Sequence, residues 1–169
     1  SSSSPLDVGD LAGATIEATG NFVAIVNEQN MAASVGITYS AMPDGSATQK
    51  VSAPLFKDEF WNNGSGLQVL NTGSSDATAQ ATFACTTEGG ATFTADTTDF
   101  TVPAGGTYLF YGPSVATNPG GGLFAVGEFQ SDANCSVTIT ADQNVVAIVN
   151  EQGTSGNTMD NNNYEGFNL

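Results

Sequence analysis

Apolar and polar residues alternate with a period of two along most of this chain. Residues 77–85 are the clearest example, since alanine, phenylalanine and cysteine occupy every second position there. This period is that of a β-strand that buries one face. Similar runs predict short strands at residues 35–40, 50–56, 66–70, 91–95, 99–102, 107–111, 123–130 and 164–169. Their spacing, without any run of helical period, predicts an all-β protein, a two-layer antiparallel β-sandwich or jelly roll.

A long repeat is superimposed on this alternation. Residues 14–29, here called the first copy, align with residues 137–152, the second copy, and 11 of the 16 aligned positions are identical. A match of this length indicates a duplicated structural unit. Each copy predicts a strand, a short turn and a second strand. Both copies end in Asn-Glu-Gln, so a structural role is expected for Glu28 and Glu151.

The predicted strands of the repeat cover residues 14–18 and 22–26 in the first copy and 135–141 and 145–150 in the second. The last strand of each copy is apolar on both faces, because its side chains point alternately to opposite sides. Such a strand is usually covered on both sides, so a further layer or another molecule is expected over it. The alternative is that small apolar residues lie on a tolerant surface.

The turn sequence Met42-Pro43-Asp44-Gly45 predicts a domain boundary. Residues 44–169 are predicted to form a complete sandwich, and residues 1–43 an incomplete one, because only residues 1–13 precede the first copy. Since a few isolated strands are marginally stable, we expect a neighbouring subunit to complete this part by strand addition. The residues predicted at this contact are Leu6, Val8, Phe22, Ile25, Val145 and Ile148.

The chain is strongly acidic. The chain has 17 acidic residues and two basic ones, Lys50 and Lys57, which gives a formal net charge of −15. This excess disfavours nucleic acids and anionic membrane surfaces as partners, and no apolar stretch reaches the length of a membrane span. Few basic residues mean few sites for trypsin-like proteases, and the opening Ser1–Pro5 is typical of a processed end. We therefore expect an extracellular or cell-surface protein.

The two cysteines, Cys85 and Cys135, both fall at core-facing positions of predicted strands. We expect a disulfide between them, which would close a loop of about 50 residues and stabilise the fold by about 4 kcal/mol through chain entropy. Two buried free thiols are the alternative.

The sequence offers little for catalysis. It has no histidine, and a disulfide would leave no free thiol, so most nucleophilic triads are excluded. The carboxylates that could hydrolyse glycosides are scattered over predicted turns. We therefore expect no enzymatic activity, and calcium is the one candidate cofactor.

Three kinds of binding or modification site are candidates. Asp160, Asn162 and Glu165 lie in a segment rich in oxygen ligands for calcium, although their spacing is not that of an EF-hand and a solvated loop is the alternative. The tripeptides beginning at Asn63 and Asn134 are N-glycosylation sequons. A platform for stacking on sugars would come from aromatic residues, for which core packing is the alternative: Phe60, Trp61, Tyr108, Phe110 and Tyr111.

Several motifs follow one another in a characteristic order. A strand leads into Asn71-Thr72-Gly73, and a second strand precedes Val102-Pro103-Ala104-Gly105. The chain then closes with Val-Ala-Ile-Val-Asn-Glu at 146–151 and Tyr164-Glu165-Gly166-Phe167. This order resembles that of bacterial cell-surface β-sandwich repeats over roughly residues 50–169. The end of the pattern recurs at 14–42, where Tyr39-Ser40-Ala41-Met42 departs from Tyr-x-Gly-Phe. The resemblance implies an extracellular, non-catalytic structural or adhesive module.

The prediction for function is a structural subunit of an extracellular filament, tube or sheath, whose copies join head to tail by strand complementation. The alternative is a carbohydrate-binding or adhesive module of a cell-surface protein. The expected partners are further copies of the chain and, in the alternative, a glycan.

Overall fold

The computed structural model describes residues 13–30, 35–43, 45–112, 123–124, 128–153 and 162–169. These residues form eleven strands and no helix, which confirms the predicted all-β class. The strands are β1 (Ile25–Asn30), β2 (Val35–Ser40), β3 (Thr48–Asp58), β4 (Asn63–Asn71), β5 (Ala77–Thr87), β6 (Thr92–Asp96), β7 (Phe100–Val102), β8 (Thr107–Tyr111), β9 (Ala133–Gly153), β10 (Asn162–Glu165) and β11 (Phe167–Asn168).

Nine of these strands form one antiparallel sheet that curls into a sandwich, and β9 belongs to both of its layers. The first half of β9 lies between β3 and β5, and its second half lies between β4 and β10. β6 and β7 extend the first layer beyond β5, β11 extends it beyond β3, and β8 extends the second layer beyond β4. β1 and β2 form a separate two-stranded sheet, and the interval between β2 and β3 contains the predicted domain boundary.

The turn predicted inside the second copy is wrong. Residues 133–153 form one strand of 21 residues, which bends at Asp142-Gln143-Asn144 and passes from one layer to the other without reversing. The polar groups at the bend bond to the neighbouring loop and strand. Asp142 Oδ1 accepts from the Thr78 amide at 2.8 Å, and the Asn144 carbonyl accepts from the Thr72 amide at 2.9 Å.

The core between the layers is rich in aromatic rings. The ring of Phe83 meets four others edge to face at centroid distances of 5.4–5.6 Å: Phe56, Phe110, Phe124 and Phe129. The last two belong to the segment 123–130, for which a strand was expected. Its described residues, 123–124 and 128–130, form no strand. The prediction is wrong for them because their phenylalanines are buried individually rather than by strand alternation.

The predicted disulfide is confirmed. Cys85 in β5 and Cys135 in β9 lie directly opposite each other, with their Cα atoms 4.0 Å apart, and both side chains are buried. The bond ties the two central strands of the first layer together. A disulfide of this kind is consistent with a protein that resides outside the reducing cytoplasm.

Candidate functional site

The two copies of the repeat form hairpins of the same register. In the first hairpin, β1 and β2, Val26 lies opposite Tyr39. In the second hairpin, β9 and β10, the equivalent Val149 lies opposite Tyr164. The duplication therefore includes β2 and β10, which lie beyond the 16 aligned residues, and Tyr39 and Tyr164 are the tyrosines that the sequence pattern had in common.

The backbone hydrogen bond that closes each hairpin is also repeated. The Ala41 amide donates to the Ala24 carbonyl at 2.9 Å in the first hairpin, and the Gly166 amide donates to the Ala147 carbonyl at 2.7 Å in the second. Ala24 and Ala147 are equivalent residues of the repeat. The two hairpins thus direct the same backbone groups towards β2 and β10.

The burial of the two copies is opposite. Val146 is 7% exposed and Val145 is fully buried, whereas the equivalent Val23 is 91% exposed and Phe22 is 52% exposed. Since the sequences are nearly identical, the difference comes from the surroundings of each copy. The first copy presents to solvent the side chains that the second copy buries.

The two copies also differ in the strands that lie beside them. The edge of β9 that faces away from β10 pairs with β4. The corresponding edge of β1, here called the open edge, pairs with no strand among the described residues. Residues 14–18 form no strand either, so that prediction is wrong, and Ile16 is exposed where its equivalent Ile139 is buried.

The residues predicted at a subunit contact fall into three groups. Phe22 and Ile25 are exposed on the first copy. Val145 is fully buried in the core of its own subunit and Ile148 is half-buried on β9, so contacts of Val145 are intramolecular. Leu6 and Val8 lie outside the described residues.

A second exposed apolar edge, absent from the predicted contacts, lies on β11. Phe167 is 62% exposed and Leu169 is 65% exposed. β11 pairs with β3 on one side, and Gly166, the residue before it, donates on the opposite side to the Ala147 carbonyl of β9 at 2.7 Å. The Leu169 amide continues the ladder by donating to the carbonyl of Lys50, whose side chain is exposed, at 3.0 Å.

Glu151, at the end of the second copy, forms an ion pair with Lys57. Its Oε1 lies 2.8 Å from Lys57 Nζ, and both side chains are largely buried. Nearby, the hydroxyl oxygen of Tyr164 accepts a hydrogen bond from the Leu55 amide at 2.9 Å. Burial raises the pKa of the Tyr164 hydroxyl, and the carboxylate of Glu151 raises it further against the opposing effect of the Leu55 bond. This group joins β3, β9 and β10, which is the kind of structural role expected for the repeated glutamate.

The loop between β3 and β4 carries the most exposed aromatic side chain of the sandwich. Trp61 is 67% exposed and stacks on Phe60, with ring planes 3° apart and centroids 5.6 Å apart. Glu59, Trp61 and Asn62 all have positive φ, and Glu88 Oε1 accepts from the Trp61 amide. This turn presents one face of the indole to solvent.

The other residues of the expected aromatic platform belong to the core or its margin. Phe110 is fully buried, and Tyr108 packs on Phe100 with centroids 4.3 Å apart. The Tyr111 hydroxyl accepts a hydrogen bond from Gln152 Nε2 at 3.1 Å. Only Phe60 and Trp61 remain as a surface for stacking.

Asp58 is a buried carboxyl beside this loop. It is 2% exposed, and its Oδ1 has no hydrogen-bond partner among the described residues. Burial raises the pKa of Asp58 to about 6, and the neighbouring carboxylates of Glu59 and Asp132 contribute to the rise. Nothing in the alternation of β3 distinguishes this aspartate from a solvated turn residue.

The motif Asn71-Thr72-Gly73 has a structural role. Asn71 is buried, and its Nδ2 donates to the carbonyls of Ser75 at 2.8 Å and Val102 at 3.0 Å. Its Oδ1 accepts from the Gly73 amide at 2.8 Å. The side chain thus holds the β4–β5 turn against β7.

The candidate calcium residues are only partly described. Asp160 lies outside the described residues, the backbone of Asn162 begins β10, and Glu165 is exposed at its end. No cluster of three or more His, Cys, Asp or Glu side chains suited to a metal occurs in the described ranges. The calcium site stays a prediction.

Both candidate glycosylation sites lie within strands. Asn63 begins β4, and its Nδ2 donates to the Trp61 carbonyl at 2.9 Å. Asn134 lies in β9 between β3 and β5, next to the disulfide. N-glycosylation of these residues also stays a prediction.

No helix long and apolar enough to cross a membrane occurs in the described part of the chain. No family model matches the sequence, and no curated protein matches it. Among solved structures, the chain is similar to the one titled "Crystal Structure of Thermotoga maritima 1070", with a TM-score of 0.43 and 10% identity over 72% of this chain and 94% of that one.

Proposed function

We propose that this protein is a structural subunit of an extracellular filament, tube or sheath, in which copies join head to tail by β-strand complementation. The contrast between the two copies of the repeat carries this proposal, because a sequence buried in the second copy is exposed in the first. A strand from a neighbouring subunit would cover the first copy as β4 covers the second.

The exposed side chains of the first copy are large enough to drive association. Phe22, Val23 and Ile25 are all more than half exposed. Burying the exposed parts of these three side chains would contribute about 3–6 kcal/mol, before the costs of association are subtracted. Backbone hydrogen bonds along the open edge of β1 would add specificity to this contact.

The charge of the chain restricts where copies can meet. Subunits of net charge −15 repel each other, so a stable contact needs an uncharged surface or salt to screen the charges. Residues 18–27 of the first copy contain no charged side chain. Assembly through this stretch is therefore expected to become stronger as the salt concentration rises.

Two observations support a location outside the cell. The disulfide between Cys85 and Cys135 favours an oxidising compartment. The scarcity of basic residues limits cleavage by trypsin-like proteases, because Lys50 and Lys57 are the only candidate sites and Lys57 is held in its ion pair.

The second candidate function is a carbohydrate-binding module, and Trp61 is the observation that favours it. An exposed indole on a rigid turn is suited to stacking on a sugar ring. This function predicts saturable glycan binding that is lost in Trp61→Ala while the state of assembly is unchanged.

The proposal is tested by electron microscopy and sedimentation velocity on the wild type and on Val23→Lys. Residue 23 lies outside the strands, so this substitution should leave the sandwich folded. Thr94→Lys is the matched control, since it adds the same charge at an exposed position of β6.

We expect ordered polymers from the wild type and the control, and dispersed monomers from Val23→Lys. A wild type that stays monomeric at the highest attainable concentration and salt would contradict the proposal. Loss of the polymers on addition of a chelator would support the calcium prediction at Asp160, Asn162 and Glu165.

A further inference from the structure

We infer that the open edge of β1 binds the outer edge of β8 of a second copy, in an antiparallel register that places Ile25 opposite Leu109 of the partner subunit. The outer edge of β8 is the one that faces away from β4. This inference rests on the proposed function and names the two edges that would meet. The residues involved are 23–27 on one copy and 107–111 on the other.

The two edges lie at opposite ends of the subunit. β8 is the last strand of the second layer, whose order is β10-β9-β4-β8. The first hairpin lies at the other end of this layer, where β2 is next to β10. Among the described residues, no strand pairs with the outer edge of β8 or with the open edge of β1. Each added copy would leave one edge of each kind free, so assembly continues as a chain.

The backbone groups of β8 alternate between β4 and the outer edge. The Asn71 amide donates to the Gly106 carbonyl at 3.0 Å, and the Gly112 amide donates to the Ser65 carbonyl at 2.8 Å. Even-numbered residues of this strand therefore bond to β4, and odd-numbered residues direct their amide and carbonyl groups outwards. Leu109 is the central residue of the outward set.

The backbone groups of β1 alternate in the same way. The Ala24 carbonyl accepts from the Ala41 amide at 2.9 Å, so even-numbered residues of β1 bond to β2. The odd-numbered Ile25 and Asn27 direct their backbone groups towards the open edge. Ile25 would therefore exchange two hydrogen bonds with Leu109 of the partner subunit, as a hydrogen-bonded pair of an antiparallel sheet does.

The side chains that this register brings together are compatible. Val26 would lie opposite Tyr108 of the partner subunit, and Val23 would lie opposite Tyr111 of the partner subunit. Pairs of aromatic and β-branched side chains stabilise neighbouring strands. Both tyrosines are half-buried within their own subunit, and Val23 is 91% exposed. The contact would thus cover the most exposed apolar side chain of the first copy.

The charge distribution favours the same two edges. Residues 100–127, which include β8, are the longest stretch of the chain without a charged side chain, and residues 18–27 are also uncharged. Since each copy has a net charge of −15, uncharged edges can approach each other with the least repulsion. The register places Glu28, the next charged residue of β1, opposite Gly106 of the partner subunit, which has no side chain.

The edge strands of the first layer are less suited to this contact. β6 contains Asp96, whose amide donates to Glu128 Oε1 at 3.1 Å, so a side chain already occupies that edge. β7 has three residues and directly follows Asp99. Beside β11, Gly166 is bonded to β9 on the side that faces away from β3.

A proline in β8 tests the outer edge. Leu109→Pro removes an amide that faces outwards and none that bonds to β4, which an edge strand tolerates. Thr94→Pro is the matched control, because the Thr94 amide faces away from β5 on the edge strand β6. We expect Leu109→Pro to stay folded by circular dichroism and to need at least about ten times the wild-type concentration to assemble, whereas the control assembles as the wild type does. Assembly of Leu109→Pro at the wild-type concentration would overturn the inference.

Cysteine cross-linking tests the register and does not depend on the proline variant. Ile25→Cys and Leu109→Cys are made as separate variants of the full chain, whose own two cysteines are joined to each other. The two variants are mixed and oxidised mildly, and the products are separated on a non-reducing gel. Directly opposite residues on paired strands can form a disulfide, as Cys85 and Cys135 do. Ile25→Cys mixed with Thr94→Cys is the control.

We expect the Ile25→Cys and Leu109→Cys mixture to give at least about ten times more disulfide-linked dimer than the control mixture, the ratio that corresponds to a preference of about 1.4 kcal/mol. Cross-linking no greater than in the control, in samples that sedimentation shows to be assembled, would overturn the inference and leave the proposed function standing. Cross-linking of Ile25→Cys with itself would also overturn it, in favour of a closed dimer. A wild type that does not assemble removes both proposals.

Discussion

Lys57 is one of two basic residues in a chain with 17 acidic ones, and the fold uses it to neutralise a buried carboxylate. Glu151 lies near the end of the second copy and is 8% exposed, so few water molecules can solvate its charge. The ion pair at 2.8 Å compensates this charge. Removing one partner of such a pair costs more than the pair itself contributes, because the remaining charge is left without compensation.

We therefore predict that Lys57→Met lowers the free energy of unfolding by about 2–4 kcal/mol, measured by urea denaturation at neutral pH. Adding Glu151→Gln to this variant should recover part of the loss. Lys50→Met is the matched control, since Lys50 is exposed, and it should change stability by less than about 0.5 kcal/mol. Equal losses in the two lysine variants would contradict the structural role of the ion pair.

Asp58 should make the stability of the fold depend on pH. The pKa of its carboxyl is raised from 3.8 to about 6 in the folded protein. A raised pKa means that the folded state binds the proton more tightly, so the contribution of Asp58 to stability is fully present below pH 3.8 and is lost as the pH rises through about 6. Above that pH the fold contains a buried charge.

Asp58→Asn removes this charge, so we predict that it is more stable than the wild type at pH 7, by up to about 3 kcal/mol, and that the advantage disappears below about pH 4. Thermal unfolding across this pH range measures the difference. Asp99→Asn, at an exposed position, controls for the general loss of a negative charge. A difference between Asp58→Asn and wild type that does not change with pH would refute the assignment.

At the scale of elements, Gly166 allows the chain to close both layers. β10 pairs with β9 in one layer and β11 pairs with β3 in the other, and Gly166 is the single residue between them. A Cβ at this position would lie 2.7 Å from Val51 Cγ1 and 3.1 Å from the Ala147 Cβ. The glycine of Tyr-Glu-Gly-Phe is therefore required for close packing.

Gly166→Ala is expected to lower the free energy of unfolding by about 1–3 kcal/mol through overpacking, as measured by denaturant titration. Adding Val51→Ala should relieve part of the strain, because it removes the atom in closest contact. Gly20→Ala is the control, since nothing lies within 4 Å of a Cβ there. If Gly166→Ala were as stable as the control, the proposed close packing would be wrong.

The elements that the sequence predicts well are those in which local alternation and tertiary pairing agree. The predicted strand at residues 107–111 coincides with β8, and the predicted strand at 77–85 lies within β5. The turn predicted at 142–144 fails because a polar bend inside a long strand has the same residue pattern as a reversal. The local sequence at the bend does not determine which layer the following residues join.

At the scale of the whole molecule, the repeat shows the same limit more clearly. Val23 and Val146 occupy equivalent positions in nearly identical sequences, yet one is 91% exposed and the other 7%. The second copy lies beside β4 and within the core of the sandwich, whereas β1 belongs to a separate two-stranded sheet. The sequence therefore predicts, for both copies, a strand whose two faces are buried. Only the tertiary structure distinguishes the buried second copy from the exposed first copy.

Of the two exposed apolar surfaces, the sequence predicted the first copy and missed β11. The apolar first copy stands out by its repetition, which pointed to Phe22 and Ile25. β11 is a strand of two residues, too short to give a periodic signal, and the exposure of Phe167 and Leu169 depends on their pairing with β3. The ion pair of Lys57 with Glu151 likewise joins residues that are 94 positions apart.

Hydrogen–deuterium exchange as a function of protein concentration tests strand complementation at the first copy, because it reports on the backbone amides of that segment. In dilute monomer, amides of residues 14–25 should exchange rapidly while those of 137–148 in β9 are protected. On assembly, the amides of the first copy are expected to become protected towards the level of those in the second. Rapid exchange of the first copy in samples that are fully assembled would show that copies meet elsewhere, and would contradict strand complementation.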